Sequence, residues 1–133
     1  MSDIKLPDKL PVLRVTPMPA DVNPSGDIFG GWIMSLVDIA GAIIAQLRAR
    51  GRVVTVAVDS FTFKHPVLVG DLVSVFAEVT RVGTTSLTVN AEVYTQRHPE
   101  TVVTLKVTEA CLTYVAIDQA GRPRQVAAAT TTE

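Results

Sequence analysis

Residues 30–47, GGWIMSLVDIAGAIIAQL, form a long apolar stretch that contains a single charge. Within Gly31–Leu47 the apolar residues recur at helical spacing and also fill the adjacent faces, which predicts one long helix buried nearly all round. The next residues, RARG at 48–51, supply the basic last turn and the glycine stop expected at a helix C-terminus. The stretch is shorter than the roughly 20 residues of a membrane span and holds Asp38 near its middle, so we predict no membrane span.

The sequence on both sides of this helix reads as strand. A short strand is predicted at Val12–Thr16, followed by a loop rich in proline, glycine, aspartate and asparagine that leads into the helix. After the helix, β-branched runs separated by well-marked turns predict four long strands. Their predicted bounds are Arg52–Lys64, Leu72–Val82, Ser86–Gln96 and Val102–Asp118.

This order of elements predicts an α+β fold in which one antiparallel sheet curls around one helix. We expect residues 1–133 to form a single domain, since no repeat or linker interrupts the pattern. The C-terminal residues VAAATTTE have no periodicity and little bulk, so we expect a frayed tail from about residue 126.

Composition and charge exclude several classes of protein. A net charge of -1 gives no basic footprint for a nucleic-acid partner. The single cysteine, Cys111, cannot form an internal disulfide, and the N-terminal residues carry prolines and charges where a signal peptide needs apolar residues. We therefore expect a cytoplasmic protein. His65 and His98 each precede a proline at a turn and lack ligand neighbours, so we expect exposed histidines and no metal site.

Asp38 is the first candidate for chemistry because its carboxylate leaves an apolar helix surface. Desolvation would raise its proton affinity toward the range of a general base, unless a nearby donor compensates. The alternative is a structural carboxylate that binds a loop amide across the helix or a dimer contact. The helix pattern alone leaves both interpretations open.

The polar loop before the helix is the second candidate. Residues 21–25, DVNPS, precede GDIFGG at 26–31, and Gly30 and Gly31 open the helix with no side chain to block a ligand. A helix start offers free backbone N–H groups and a positive dipole end, which could hold the oxyanion of a carbonyl under attack. The alternative is a loop that only caps the helix.

A turn further along the chain has the components of a phosphate site. A cation, free backbone amides and hydroxyls come together in RVGTTS. The residues concerned are Arg81, Gly83, Thr84, Thr85 and Ser86. The alternative is an ordinary hairpin turn. A serine hydrolase is not indicated, because no serine lies in the strand–turn–helix setting of a nucleophile elbow.

Several segments carry a resemblance to a known family. MPADVNPSGDIFGGWIMSLVDIAGAI, GRVVTVAVDSFTF, HPVLVGD, VGTTS and TEACLTYVAID, in this order, closely resemble the YciA-type acyl-coenzyme A (CoA) thioesterases, from about Thr16 to Pro123. The resemblance implies the hotdog fold, a five-stranded antiparallel sheet wrapped around one long central helix. It also implies hydrolysis of acyl-CoA thioesters, with no cofactor beyond the CoA that belongs to the substrate.

The same resemblance implies roles for individual residues and an assembly. Asp38 would be the general base or nucleophile, and Asn23 of the other subunit would orient the water. The subunits would form a double-hotdog homodimer with sites at its interface, and a hexamer as a trimer of dimers. The RVGTTS turn and nearby basic residues, including Lys64, would hold the CoA phosphates.

Two relatives of the same fold offer rival functions. The hydratases carry a histidine five residues after the aspartate, whereas this chain has Ile43 there. The hotdog transcription regulators carry an additional DNA-binding segment, and we expect none in this protein. A non-catalytic protein that binds or senses acyl-CoA stays as the alternative function.

Overall fold

The structure, a computed structural model, describes residues 4–128. Every predicted helix and strand is present, with ends that differ from the prediction by at most two residues. A turn of 3₁₀ helix is added in the loop before the long helix. In chain order the elements are β1 (Leu13–Val15), the 3₁₀ turn (Pro19–Asp21), α1 (Gly30–Ala49), β2 (Val53–Phe63), β3 (Leu72–Val82), β4 (Ser86–Arg97) and β5 (Val103–Ala116).

The five strands form one antiparallel sheet in the order β1-β3-β4-β5-β2. α1 packs against β2, β3, β4 and β5, so the sheet surrounds the helix as predicted. Alternate residues of β3, β4 and β5 point to the helix because side chains in a strand alternate between two faces. The fully buried core residues include Val37, Ala40, Val73, Val75, Val89, Val93 and Tyr114.

One face of α1 is not buried, and the prediction of a helix buried nearly all round is wrong for this face. The sheet covers only one side of the helix, so four large apolar side chains of the other side stay 36–71% exposed. They are Met34, Ile39, Ile43 and Leu47. An apolar stripe of this kind marks a surface that another molecule can cover.

α1 spans 20 residues, and its length and composition would allow it to cross a membrane. The length argument against a membrane span is therefore wrong. The buried face of the helix nevertheless packs on the sheet, with Val37 and Ala40 fully enclosed, as in the core helix of a globular domain.

The C-terminus of α1 differs from the predicted glycine stop. Arg50, not Gly51, adopts the left-handed conformation that ends the helix, with φ 57° and ψ 45°. Arg124 explains why a glycine follows, since its Nη2 donates to the Ala49 carbonyl at 2.7 Å and lies 2.7 Å from where a Cβ of Gly51 would be. The guanidinium satisfies a free helix carbonyl, and a side chain at position 51 would have to displace it.

The predicted frayed tail is wrong at its first residue. Val126 is 6% exposed and packs with Ala49, Leu87 and Ala116. Its N–H donates to the carbonyl of Thr84 at 2.8 Å, which ties the C-terminal segment to the turn between β3 and β4. Residues 129–133 of the predicted tail lie outside the described residues.

A buried ion pair fastens the loop between β2 and β3 to the end of β4. Arg97 Nη2 lies 2.7 Å from Asp71 Oδ2, which also accepts the Leu68 N–H, and the Asp71 side chain is only 2% exposed. Removal of one partner leaves the other charge buried without compensation. We therefore expect Asp71→Ala to lower the free energy of unfolding by about 3–5 kcal/mol, measured by urea denaturation.

The matched control is an exposed ion pair of the same sheet. Glu78 lies 4.0 Å from Lys9, and both side chains are largely exposed. Because water already solvates such a pair, we expect Glu78→Ala to cost less than about 1 kcal/mol. Equal losses for the two variants would contradict the assigned role of the Asp71–Arg97 pair.

Candidate active site

Asp38 lies in the middle of α1, half-buried, with its carboxylate held by two hydroxyl groups. The Thr55 hydroxyl, on β2, donates to Asp38 Oδ1 at 2.7 Å. The Tyr114 hydroxyl, on β5, lies 3.0 Å from the same Oδ1 and 3.0 Å from the Asp38 carbonyl oxygen. Among residues 4–128, Asp38 Oδ2 has no hydrogen-bond partner and no cation pairs with the carboxylate.

Asn23 organises the loop before the helix. Its Oδ1 accepts the N–H groups of Ser25 at 2.9 Å and Asp27 at 3.2 Å, so the side chain closes a local turn. This arrangement fixes the orientation of the amide and leaves its Nδ2 as the donor for a further partner. The loop residue that the sequence singled out thus has a structural role as well as a free polar group.

The helix start has the unpaired donors that the sequence predicts. Phe29 stands at the N-cap without a side-chain hydrogen bond, and the Trp32 N–H donates to the Phe29 carbonyl at 3.0 Å. Within the described part of the chain, the N–H groups of Gly30 and Gly31 have no acceptor. A Cβ placed on Gly31 would meet no other part of the fold within 4 Å, so open space lies beside this residue.

Gly30 has a different reason to lack a side chain. A Cβ at this position would lie 3.3 Å from Phe63 Cζ, so the ring of Phe63 occupies the space above the glycine. Both residues line an open cleft of about 350 Å³, together with Asn23 and Lys64. The cleft therefore joins the loop amide, the helix start and the end of β2.

The structure does not bring Asp38 into this cleft. Asp38 lies about two turns, or roughly 12 Å, along the helix from Gly30. Its side chain is bound beside Thr55, near the start of β2, whereas Gly30 contacts Phe63 at the end of that strand. Within one chain the candidate carboxylate and the candidate oxyanion amides are thus separate.

The candidate phosphate residues are also separated. Arg81 lies near the end of β3, and Gly83 lies in the turn between β3 and β4. This turn is level with the start of β2, because Ser86 and Val54 both pair with Val115. Lys64 follows the other end of β2. One chain therefore cannot hold a single phosphate with both.

Several of the candidate phosphate-binding groups already take part in hydrogen bonds or ion pairs within the chain. Gly83 N–H donates to the Ser86 carbonyl, and the carbonyl of Thr85 accepts the Ala116 N–H. Lys64 Nζ lies 3.2 Å from Glu109 Oε1. Lys106 and Lys64 beside Glu109 hold the pKa of that carboxyl below its usual range.

Thr55 and Tyr114 were not among the residues predicted from the sequence to form the site. For Tyr114 a signal was present, since it alternates with Leu112 and Ala116 on the face of β5 that points to the helix. A buried tyrosine hydroxyl needs a hydrogen-bond partner, and the facing helix carries one carboxylate. For Thr55 the sequence offers no such signal, because threonines occur throughout the predicted strands.

The other polar candidates lie away from Asp38. His65 and His98 are exposed, as predicted. Among residues 4–128, no group of three or more histidine, cysteine, aspartate or glutamate side chains could hold a metal ion.

Comparison with known proteins gives the family. The family model described as "Thioesterase superfamily" matches residues 25–102, which span the end of the loop before the helix, α1 and all of β2, β3 and β4. This chain belongs to the thioesterase superfamily. The acyl-CoA thioester hydrolase YciA of Escherichia coli is 50% identical over 115 residues, which cover 85% of this chain and 87% of that protein.

Solved structures of the superfamily share the fold. A hexameric hotdog fold thioesterase of Campylobacter jejuni superposes with a TM-score of 0.85 at 41% identity, over 90% of this chain and 91% of that one. The architecture described above is thus the hotdog fold, as the resemblance implied. An acyl-CoA hydrolase of Staphylococcus aureus, determined with butyryl-CoA and CoA, superposes with a TM-score of 0.80 at 31% identity, over 86% and 69% of the two chains.

The Staphylococcus aureus enzyme has also been determined as an aspartate-to-alanine variant and as a threonine-to-alanine variant. The two substituted positions of that enzyme are 17 residues apart in its own numbering. Asp38 and Thr55 are also 17 residues apart. The aspartate–threonine pair found here by geometry therefore has the same spacing as two residues selected for substitution in that relative.

Proposed function

We propose that this thioesterase hydrolyses acyl-CoA thioesters to a carboxylic acid and CoA, with Asp38 acting on the thioester carbonyl. The observation that carries the proposal is the Asp38 carboxylate, held at Oδ1 by two hydroxyls and open at Oδ2. Asp38 either activates a water molecule as a general base or attacks the carbonyl directly. The relatives named acyl-CoA thioester hydrolase YciA and acyl-CoA hydrolase support the substrate class.

The complete site is proposed to lie between two subunits. Among residues 4–128, β2 is an edge strand that pairs with β5 alone, and it exposes Val54, Val56 and Val58 by 41–54%. An exposed apolar edge is a surface that folded proteins normally cover. A second copy that pairs antiparallel along β2 would cover the edge and form the double hotdog, and the exposed stripe of α1 continues this surface.

Such pairing would also bring together the groups of the proposed active site. Asp38 is bound near the start of β2, and Gly30 contacts Phe63 at its end. Antiparallel pairing places the start of one strand beside the end of the other, so Asp38 of one subunit would face the helix start and Asn23 of its partner. The free amides of Gly30 and Gly31 would bind the oxyanion, and Asn23 Nδ2 would orient the water.

The reaction proposed for this site needs neither a metal nor a cofactor. In the general-base route Asp38 takes a proton from water as the water oxygen adds to the thioester carbonyl, and collapse of the tetrahedral oxyanion breaks the carbon–sulfur bond and leaves the carboxylic acid and CoA thiolate. In the direct route the collapse leaves CoA thiolate and an anhydride on Asp38, which a water molecule then hydrolyses to the carboxylic acid and the free Asp38 carboxylate. A thiolate with a conjugate acid of pKa about 8.5 leaves without a strong general acid. The absence of a histidine in the contacts of Asp38 suits this leaving group.

CoA phosphates are proposed to lie at the RVGTTS turn (Arg81–Ser86) and near Lys64. The same antiparallel pairing supports this, because it brings Lys64 of one subunit to the end of the joint sheet that carries the partner's turn. We further propose a hexamer as a trimer of dimers, by analogy with the hexameric relative of Campylobacter jejuni.

We also propose a cytoplasmic location, because an unpaired Cys111 suits a reducing compartment.

A thiol-release assay on short, medium and long acyl-CoA substrates tests the activity. We expect multiple turnovers, with CoA and free acid formed in equal amounts. The alternative function, a protein that only binds or senses acyl-CoA, predicts saturable binding of the same substrates with no release above the uncatalysed rate. That result would overturn the proposed hydrolysis.

A further inference from the structure

Tyr114 is the more buried of the two residues whose hydroxyl groups bind Asp38. It is fully buried on β5, and its hydroxyl lies 3.0 Å from Asp38 Oδ1. Because a hydrogen bond to an ionised acceptor is stronger than one to a neutral acceptor, the carboxylate competes well with the Asp38 carbonyl for this proton. A buried side chain of the sheet thus binds the carboxylate of the helix.

Gly41 of the helix leaves the space that this hydroxyl occupies. A Cβ on Gly41 would lie 2.3 Å from the Tyr114 hydroxyl oxygen and 3.0 Å from its Cζ. The ring is enclosed and cannot move aside, so any side chain at position 41 would displace the hydroxyl from the helix. The contact therefore involves a specific residue on each of two elements.

The hydroxyl stays a donor under all conditions in which the enzyme would work. Burial, and then the hydrogen bond to Asp38, raise the pKa of Tyr114 well above its usual value. Thr55 supplies the second donor to the same Oδ1. Two donors on one oxygen restrict the rotation of the carboxylate and leave the other oxygen without a donor in the described part of the chain.

We propose that Tyr114 is a positioning residue for thioester hydrolysis, whose hydroxyl fixes the Asp38 carboxylate so that Oδ2 faces the thioester carbonyl or the attacking water. The inference rests on the proposed role of Asp38. Tyr114 is buried behind the carboxylate and acts only through it. Its loss should consequently slow the chemical step and leave substrate binding intact.

Tyr114→Phe tests the inference because it removes one oxygen atom and keeps the ring. We expect kcat to fall roughly 10- to 100-fold, as for a small misplacement of a reacting group, with KM changed less than about twofold.

Tyr94→Phe is the matched control. Tyr94, the other tyrosine, is 7% exposed and packs edge-to-face on Phe76, on the sheet face that points away from the helix. We expect its kcat and KM to equal those of the parent within about twofold. A purely structural hydroxyl at Tyr114 would lower the melting temperature while kcat per folded molecule stayed unchanged, which would overturn the proposal.

Different results would contradict the catalytic role of Asp38 and the positioning role of Tyr114. If Asp38→Asn keeps the parent kcat, the catalytic role of Asp38 is wrong, and the positioning role is wrong with it. If Asp38→Asn is inactive but Tyr114→Phe keeps the parent kcat, only the positioning role is wrong. A fall in kcat for both variants, with KM and the Tyr94→Phe control unchanged, supports both roles.

Discussion

Asp38→Asn is expected to lower kcat for acyl-CoA hydrolysis by about 10²- to 10⁴-fold, the range for loss of a general base. This corresponds to about 3–5 kcal/mol of transition-state stabilisation. The amide keeps the size of the carboxylate and still accepts hydrogen bonds from Thr55 and Tyr114, so the fold should be retained. It can neither take a proton from water nor attack the carbonyl. Initial rates of thiol release at saturating substrate measure the effect.

Glu78→Gln, the control, also replaces a carboxylate by an amide, at a position outside the proposed active site. Glu78 is exposed on β3 and contacts only Lys9 among the described ion pairs. We expect this variant to keep the parent kcat within about twofold. Turnover by Asp38→Asn at the rate of this control would remove Asp38 from the mechanism.

The sequence was sufficient to find the elements and the central carboxylate. The bounds of α1 and the strands follow from local patterns, because apolar periodicity and turn residues act over a few residues. Asp38 stood out for the same reason, as one charge within an apolar helix. Its two donors come from β2 and β5, so they depend on which strands flank the helix, and the linear pattern does not contain that order.

The predictions that failed depend on partners distant in the sequence. Val126 has no periodic neighbours, yet Leu87 and Ala116 form the pocket in which it is buried. The apolar stripe of α1 was expected to be buried, and the single chain leaves it exposed. Periodicity identifies which residues are apolar, whereas only the sheet and the assembly determine which of them are covered.

Mixed dimers of two inactive variants should recover activity if the site is shared between subunits. Asp38→Ala removes the carboxylate, and Asn23→Ala removes the amide proposed to orient the water, so each variant alone has two defective sites per dimer. A mixed dimer joins the intact Asp38 of one subunit to the intact Asn23 of the other. Random mixing makes about half of the dimers mixed, each with one intact site of two, so about a quarter of the parent activity should return.

The mixing experiment requires refolding the two variants together, with a different tag on each to measure the mixed dimers. The control mixture combines Asp38→Ala with the double variant Asn23→Ala/Asp38→Ala, which contains no intact Asp38 and should stay inactive. A site within one subunit would give no recovery even when mixed dimers form, since each subunit lacks one required residue. Recovery in proportion to the mixed dimers would therefore place Asp38 and Asn23 of one working site on different chains.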